Sequence, residues 1–276
     1  MNYRHAFHAG NFADCMKHAL LTWLLRALAQ KPAAFFVLDS HAGCGRYDLD
    51  DGPATRSGEW RDGIGRLVSD PPPELADYVG LVQGLGLYPG SPALARALLR
   101  EQDRMACCEL HPEDAAALRR CFLRDPQVAV HRRDGWEALQ GLLPPAQKRG
   151  LVLIDPPYEA SGEFARVVAG LATVQARFAG VVLAAWYPIK HRAPVREFHL
   201  ALQASGLRDV LAAELWLREP LDAARLNGCG LVVVNPPYRF EVGAVAILAA
   251  LLRVLGRGEP GEGTALLRLV AEGAPV

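Results

Sequence analysis

Short apolar runs that lead into an acidic residue recur along the first two thirds of this chain. AAFFVLD ends at Asp39, RMACCEL reaches Glu109, QVAVHR leads to Asp134, and LVLI runs straight into Asp155. Such runs are typical of buried strands, and the segments between them carry apolar residues at helical spacing. Strands that alternate with helices indicate an α/β fold with a parallel sheet and helices on both faces. The four carboxylates are therefore predicted to lie at one edge of that sheet, where ligands bind in such folds.

Helix start signals define several elements more closely. Asn11 is a suitable N-cap for a helix from about Phe12 to Ala29. Ser91 followed by Pro92 predicts a second helix, with the serine as N-cap. Further helices are expected over 112–123, EFARVVAGLATVQARF and 195–204, with strands at GVVLAAWY, 211–217 and, as the last strand, 231–234.

The segment 49–90 has a looser pattern than the rest of the chain. It contains GPATRSGEW and the run Pro71-Pro72-Pro73. We interpret it as an inserted, mainly helical subdomain within one domain that spans residues 1–276.

Composition narrows the classes of protein to consider. The 276 residues are 51% hydrophobic, which allows a sizeable core. The longest apolar runs, such as 242–252, are too short to span a bilayer, and MNYRHAFHAG has no signal-peptide character. A cytoplasmic protein without membrane contact is expected. The six cysteines form no CxxC pair and the acids are spread over strand ends, so no metal site is expected.

The ends of the first three predicted strands together suggest an adenosine pocket. Asp39 begins the pattern D-x-x-x-G-x-G, which ends at Gly45 and is neither a dinucleotide fingerprint nor a phosphate-binding loop. Taken alone, this loop could be only a tight turn. Glu109 is placed to accept hydrogen bonds from a ribose, and Asp134 from an adenine amino group. A pocket for adenosine without a pyrophosphate anchor suits S-adenosylmethionine better than NAD.

Two segments of the chain nearly repeat each other: LVLIDPPYEA from Leu151 and LVVVNPPYRF from Leu231. An adenine amine is a weak nucleophile, and acceptors on both of its N–H bonds would direct its lone pair at a methyl donor. The Asp155 carboxylate and the Pro156 carbonyl can supply those acceptors, and Tyr158 can stack on the base. The alternative is a turn that merely ends a strand.

The second copy, at Asn235, is chemically similar, but it follows the last strand and lies far from the glycine loop in strand order. Asp155 follows the strand that is expected beside the first one. We therefore predict that the first copy is catalytic.

Several motifs together make the chain similar to a known family. YRHAFHAGNFADCMKH, LDSHAGCGRYDL, LYPGSPALARALLREQD, ELHPED, LIDPPYE, AWYPI and VVNPPY resemble the bacterial large-subunit ribosomal RNA methyltransferase J family over essentially the whole chain. Members of that family make N6-methyladenosine in 23S ribosomal RNA. The resemblance implies a Rossmann-like class I S-adenosylmethionine-dependent methyltransferase fold and 23S ribosomal RNA as partner, with no obligate protein partner evident.

The resemblance also implies roles for individual residues. Residues 1–18 would form an N-terminal motif that contacts cofactor and RNA, in which Lys17 and His18 close over the cofactor and Tyr3 and Arg4 meet the RNA. Without the family, an ordinary solvated helix start would be the simpler interpretation of Lys17 and His18. The remaining cofactor positions implied are His41, Gly43, Ser91, Glu109, Asp134, Gly135 and Asp155.

A zero formal charge argues weakly against binding by global attraction to nucleic acid. A local basic rim could replace it, formed by Arg4, Lys17, Arg132, Arg133, Lys190 and Arg192. Three alternatives remain open at this point: an N6-adenine DNA methyltransferase, a protein glutamine methyltransferase that would use Asn235, and a nucleotide-binding module without enzymatic activity.

Overall fold

A mixed eight-stranded sheet with helices on both faces forms the centre of the molecule. The computed structural model describes residues 5–50 and 52–273. In chain order the strands are β1 (Phe36–Asp39), β2 (Arg46–Tyr47), β3 (Tyr88–Pro89), β4 (Arg104–Glu109), β5 (Val128–Arg132), β6 (Gly150–Ile154), β7 (Val181–Ile189), β8 (Val210–Trp216), β9 (Gly228–Val234) and β10 (Gly263–Val270). The α-helices are α1 (Phe12–Ala29), α2 (Gly52–Ser57), α3 (Ile64–Ser69), α4 (Ala76–Gly84), α5 (Ser91–Leu98), α6 (Pro112–Cys121), α7 (Gly135–Gly141), α8 (Glu163–Arg177), α9 (Arg192–Ala204) and α10 (Phe240–Leu255).

The order of strands across the main sheet is β10-β8-β9-β7-β6-β1-β4-β5. Strands β5, β4, β1, β6 and β7 are parallel, as the sequence predicts, but β9 is antiparallel to both β7 and β8, and β10 is antiparallel to β8. The prediction of a parallel sheet therefore holds for most of the strands and fails for β9 and β10. The connection from β8 to β9 is a loop of eleven residues without a crossover helix, so β9 returns beside β8 in the opposite direction.

The parallel part of the sheet brings the acidic strand ends together. Asp39 pairs in register with Cys107 of β4 and Leu153 of β6, so Glu109 and Asp155 extend just beyond the same edge. Asp134 follows β5 by two residues. We call this edge, marked by Asp39, Glu109, Asp134 and Asp155, the carboxylate edge.

Helix α1 begins at the carboxylate edge and has the bounds that the sequence predicts. The Asn11 side chain caps it by accepting hydrogen bonds from the backbone N–H groups of Ala13 and Asp14. Its leucine stripe packs in the core layer on one face of the sheet, together with α10, while α8 and α9 contribute to the layer on the other face.

Helix α5 differs in detail from the prediction. Gly90 occupies the N-cap position, and Ser91 is the first helical residue, so the serine does not cap the helix. Its hydroxyl instead donates to the Asp39 carboxylate, at an O–O distance of 2.6 Å.

Strands β2 and β3 form a separate two-stranded ribbon. The segment that connects them contains α2, α3 and α4 together with short 3₁₀ turns. The sequence did not predict α10 or β10, although the apolar run 242–252 lies within α10. Among the residues that the structure describes, no helix is both long and apolar enough to cross a bilayer.

Candidate active site

Asp155 is held by a buried lysine at the carboxylate edge. Lys17 Nζ lies 2.7 Å from Asp155 Oδ2 and 2.9 Å from Asp14 Oδ1, and the exposed fraction of the Lys17 side chain is 5%. Asp14 Oδ2 in turn lies 2.9 Å from His5 Nε2 and accepts from the Gly10 backbone N–H. A continuous chain of polar contacts therefore runs from Asp155 to the N-terminal segment. Asp155 Oδ1 makes no hydrogen bond with any residue in 5–50 or 52–273.

Burial and pairing set the charges in this chain. Burial alone would raise the pKa of Asp14, but His5 and Lys17 outweigh it and hold that pKa well below its ordinary value. Burial alone would lower the pKa of Lys17, and the carboxylates of Asp14 and Asp155 reverse this and raise it. Lys17 is thus a cation enclosed between two acids.

His18 is fully buried one position further along α1. Its Nδ1 lies 3.0 Å from the Tyr88 hydroxyl, which lies 3.1 Å from the Tyr78 hydroxyl. Burial lowers the pKa of His18 to about 3, so the imidazole is neutral at neutral pH. Because both Lys17 and His18 are buried, the interpretation of this segment as a solvated helix start does not hold.

The glycine loop and Glu109 form one unit. Glu109 Oε2 accepts from the Gly43 backbone N–H at 2.9 Å, and Oε1 accepts from the His111 backbone N–H at 2.7 Å. Gly43 has φ +62°, and a Cβ on it would meet the Tyr47 hydroxyl at 2.5 Å. The loop therefore requires glycine there, and it fixes the orientation of the Glu109 carboxylate.

His41, which follows β1, and Gly135, the first residue of α7 after β5, lie against each other. A Cβ on Gly135 would meet the Ser40 carbonyl at 2.1 Å and the His41 ring at 2.8 Å. Burial lowers the pKa of His41 to about 4. Asp134 caps α7 by accepting from the Trp136 backbone N–H at 2.7 Å.

Asp39 is the most deeply enclosed acid of the edge. Its Oδ2 accepts from Ser91, while its Oδ1 is buried without a hydrogen-bond partner among the described residues. Burial raises the pKa of Asp39 to about 7, and the nearby charge of Asp155 adds to that rise.

Tyr158 is positioned by its hydroxyl and by its ring. The hydroxyl donates to the Trp186 carbonyl at 2.7 Å, and the ring centroid lies 5.2 Å from that of Phe164. A cavity of about 270 Å³ adjoins the ring, with Phe164, Pro188 and Lys190 among its walls.

The second Pro-Pro-Tyr segment lies at the opposite edge of the sheet. Val234, at the end of β9, pairs with residues near the starts of β7 and β8, because β9 is antiparallel to both. The Asn235 side-chain amide donates to the Val181 carbonyl at 3.1 Å, and Tyr238 is 91% exposed.

The sequence interpretation missed some of the residues that surround Asp155. Asp14 and His5 were not singled out, although Asp14, Lys17 and His18 have the i, i+3, i+4 spacing of one helix face. Tyr3 and Arg4, the predicted RNA contacts, lie outside the described residues.

The basic rim is only partly present. Lys17 is buried between acids and cannot belong to it, while Arg192 is paired with Glu214 at 3.0 Å. Arg132 and Lys190 are exposed.

The strand order, with an antiparallel strand set between two parallel ones, and the loop at the end of β1 define a class I methyltransferase of the Rossmann-like type. Comparison with known proteins agrees. A family model described as "Ribosomal RNA large subunit methyltransferase D, RlmJ" matches residues 32–266. The chain belongs to the ribosomal RNA large subunit methyltransferase J family and is a methyltransferase.

Individual relatives cover most of the chain. The ribosomal RNA large subunit methyltransferase J of Escherichia coli is 41% identical over 249 residues, which are 87% of this chain and 89% of that protein. The Haemophilus influenzae protein of the same name is 40% identical over 264 residues, which are 92% of this chain and 94% of that protein. A crystal structure of a Legionella pneumophila protein superposes with a TM-score of 0.86 at 33% identity, and covers 95% of this chain and 98% of that one.

Proposed function

We propose that this chain is an S-adenosylmethionine-dependent methyltransferase that makes N6-methyladenosine in 23S ribosomal RNA. The observation that carries the proposal is the position of Asp155: it follows β6, beside the β1 glycine loop. One of its carboxylate oxygens is paired to Lys17, and the other has no partner among the residues that the structure describes. The names of the two relatives support ribosomal RNA as the substrate class.

The chemistry needs two hydrogen-bond acceptors at the target amine. Lys17 occupies Asp155 Oδ2 and orients the carboxylate, so Oδ1 is left to accept one N–H of the adenine amine. The Pro156 carbonyl would accept the other, since Pro157 restricts Pro156 to an extended backbone. With both N–H bonds engaged, the nitrogen lone pair is directed away from the ring and toward the methyl donor. Holding the two reactants in line would contribute much of the rate.

Tyr158 supplies the stacking surface in this proposal. Its ring is fixed by the hydrogen bond to Trp186 and adjoins the cavity of about 270 Å³. An unpaired or flipped adenine would stack there, an interaction worth about 1–3 kcal/mol in single-stranded recognition.

The residues of the carboxylate edge suit a bound S-adenosylmethionine. Glu109 is preoriented by two backbone N–H groups and would hold the ribose, while Asp134 and Gly135 would hold the adenine end. Within the described part of the chain, the buried Asp39 Oδ1 has no hydrogen-bond partner, which is expected of a polar atom beside a ligand site. His41, Gly43 and Ser91 complete the pocket, and Lys17 and His18 would close it from α1. The cofactor, when bound, supplies an electrophilic methyl group on a sulfonium.

A competition experiment distinguishes the proposed function from the DNA methyltransferase, the protein methyltransferase and the binding module. The purified protein would be incubated with labelled S-adenosylmethionine and equal masses of unmodified 23S ribosomal RNA, adenine-containing duplex DNA and a protein extract, and each fraction digested and separated. We expect label in N6-methyladenosine from the RNA.

Each other outcome selects a different function. Label only in deoxyadenosine would identify a DNA methyltransferase, and label in glutamine would identify a protein methyltransferase. Cofactor binding without any transfer would identify a binding module and overturn the proposal.

A further inference from the structure

A second concave surface lies away from Asp155, between the helices that follow β2 and the end of α10. It is an open cleft of about 690 Å³. Its walls include the arginines Arg61, Arg66 and Arg253, the acid Asp70 and the run 71–73 of three prolines. None of these residues contributes to the proposed methyl-transfer site.

Two of the three arginines carry charge that no acid neutralises within the described residues. Arg66 is half-buried, and its Nη1 donates to the Leu255 carbonyl at 3.2 Å, which fixes the guanidinium. Arg61 lies with its guanidinium carbon 5.1 Å from the centre of the Trp60 ring. Arg253 is paired with Glu74 at 3.1 Å on the surface, and Asp70 is the opposing charge in the wall. The cleft therefore has a positive excess although the whole chain is neutral.

Basic side chains continue from the cleft toward the N-terminal segment. Arg56 of α2 lies over the Phe7 ring at 5.6 Å and has no carboxylate partner among residues 5–50 and 52–273. Phe7 belongs to the same 3₁₀ turn as His5, which contacts Asp14. We call Arg66, Arg61 and Arg56 the track: the first two line the cleft, and the third lies beside the N-terminal segment that contacts Asp14.

The fold places this track at the carboxylate edge of the sheet. The Ile64 backbone N–H at the start of α3 donates to the Gly10 carbonyl at 2.8 Å, just before the first turn of α1. Helix α10 starts after the far end of β9 and is followed by β10, which begins at Gly263 opposite Trp216, the last residue of β8. The C-terminal end of α10 therefore lies at the same edge of the sheet as Asp155.

We propose that the cleft, with the track Arg66–Arg61–Arg56, binds backbone phosphates of the RNA that flanks the target nucleotide. This inference rests on the proposed function. Guanidinium groups match the geometry of phosphate oxygens, and phosphate contacts fix the register of a nucleic acid without reading its sequence. The three prolines have fixed φ angles, which limits the backbone freedom of this wall of the cleft.

The test compares charge-removing variants in steady-state methylation of unmodified 23S ribosomal RNA at saturating S-adenosylmethionine. Arg61→Gln/Arg66→Gln is expected to raise the KM for RNA roughly 10-fold with kcat within about twofold of wild type, because phosphate contacts bind ground state and transition state alike. The slope of log affinity against log salt is expected to fall by about 0.7–0.9 for each lost phosphate contact.

Two further variants separate binding from folding. Arg61→Gln alone removes a side chain that makes no hydrogen bond within the described residues, so its fold is preserved, and a rise in KM of about threefold is expected. Arg208→Gln is the matched control, since Arg208 is exposed just before β8 at the opposite edge, and its KM should equal that of wild type.

The outcomes distinguish the two proposals. An active wild-type enzyme whose KM and salt slope are unchanged in Arg61→Gln/Arg66→Gln would overturn the cleft as an RNA surface and leave the function intact. So would a fall in kcat without a change in KM. A wild-type enzyme that neither binds nor methylates 23S ribosomal RNA would overturn the proposed function and this inference with it.

Discussion

The two Pro-Pro-Tyr segments of this chain follow buried strands of similar sequence, yet they lie in different surroundings. Asp155 follows β6, which runs parallel to β1, and its carboxylate is paired with a buried lysine. Asn235 follows β9, which runs antiparallel to its neighbours, and its amide donates to a backbone carbonyl at the start of β7. The ring of the first tyrosine packs against Phe164, whereas the ring of the second is almost fully exposed.

Strand direction explains the difference between the segments. A parallel strand delivers the residue after its end to the edge where the glycine loop lies, and an antiparallel strand delivers it to the other edge. Similar tetrapeptides therefore lie beside the glycine loop and Lys17 in one case and at a solvent-exposed edge in the other. Asn235 ties β9 to β7, which is a structural role.

The largest expected effect separates the two segments directly. Asp155→Ala removes the proposed acceptor for the target amine, and we expect kcat for methyl transfer to 23S ribosomal RNA to fall by about 10²–10³-fold, as when one preoriented polar group is removed from an active site. Asn235→Ala should leave kcat within about twofold of wild type and lower the free energy of unfolding by about 1 kcal/mol through the lost hydrogen bond. Labelled methyl transfer and urea unfolding measure both. The reverse pattern, with activity lost in Asn235→Ala alone, would favour the protein glutamine methyltransferase.

The second largest effect is expected on stability, when Lys17, the partner of Asp155, is replaced. Lys17→Met leaves Asp14 and Asp155 as neighbouring acids without their cation, and breaking a buried pair of this kind costs about 3 kcal/mol of unfolding free energy. Lys190→Met, which removes an exposed cation, is the matched control. Equal stability of the two variants in urea at pH 7 would contradict the prediction.

The loss of unfolding free energy in Lys17→Met should become smaller as the pH falls. The pKa of Asp14 is depressed in the folded protein, so its pairing contributes stability above the unfolded value of about 3.9 and loses it as the pH falls through the folded value. The difference between wild type and Lys17→Met should therefore narrow as the pH is lowered toward about 3.

The parts of the fold that local sequence encodes were predictable. The bounds of α1 follow from the Asn11 cap and the leucine spacing, and β1 and β4 end at the predicted acids. The direction of β9 is set by a short connection and by pairing with strands far away in sequence, and no local pattern reports it. Helix α10 lacked a recognisable start, because Arg239 at its N-cap has φ +67° and makes no side-chain cap.

In the candidate site too, local sequence predicted individual residues but not the contacts between residues distant in sequence. Lys17 and Asp155 were each named from motifs, but their contact joins residues 138 positions apart, and periodicity cannot show it. Ser91 was named for its cap position, whereas it contacts Asp39, because the β1 end and the α5 start meet only in the folded chain. Asp14 had a local signal in its spacing to Lys17 and His18 on one helix face.

A third experiment extends the comparison to the other buried acid of the carboxylate edge. The pKa of Asp39 is raised to about 7 from an unfolded value of about 3.9, so the folded state binds the proton more tightly and stability falls as the pH rises from about 4 to about 7. Asp39→Asn removes that fall. In the absence of cofactor, the free energy of unfolding of this variant at pH 8 should exceed that of wild type by at least about 1.4 kcal/mol, the free energy of one pKa unit. Urea unfolding at pH 5 and pH 8 measures it. Asp50→Asn, at an exposed site, should show no such gain; a gain equal to that of Asp39→Asn would contradict the burial argument.

The smallest effects on stability are expected when the hydroxyl groups of Tyr158 and Tyr238 are removed. Tyr158→Phe keeps the stacking ring but removes the hydroxyl that donates to the Trp186 carbonyl, and we expect a loss of about 1 kcal/mol in unfolding free energy. Tyr238→Phe removes a hydroxyl from a side chain that is 91% exposed, so a change within about 0.5 kcal/mol is expected. Because the proposed stacking surface is the ring itself, Tyr158→Phe should retain methyl transfer far better than Tyr158→Ala. If Tyr158→Phe were as inactive as Tyr158→Ala, the hydroxyl rather than the ring would carry the contribution of this residue, and the stacking role assigned to Tyr158 would be wrong.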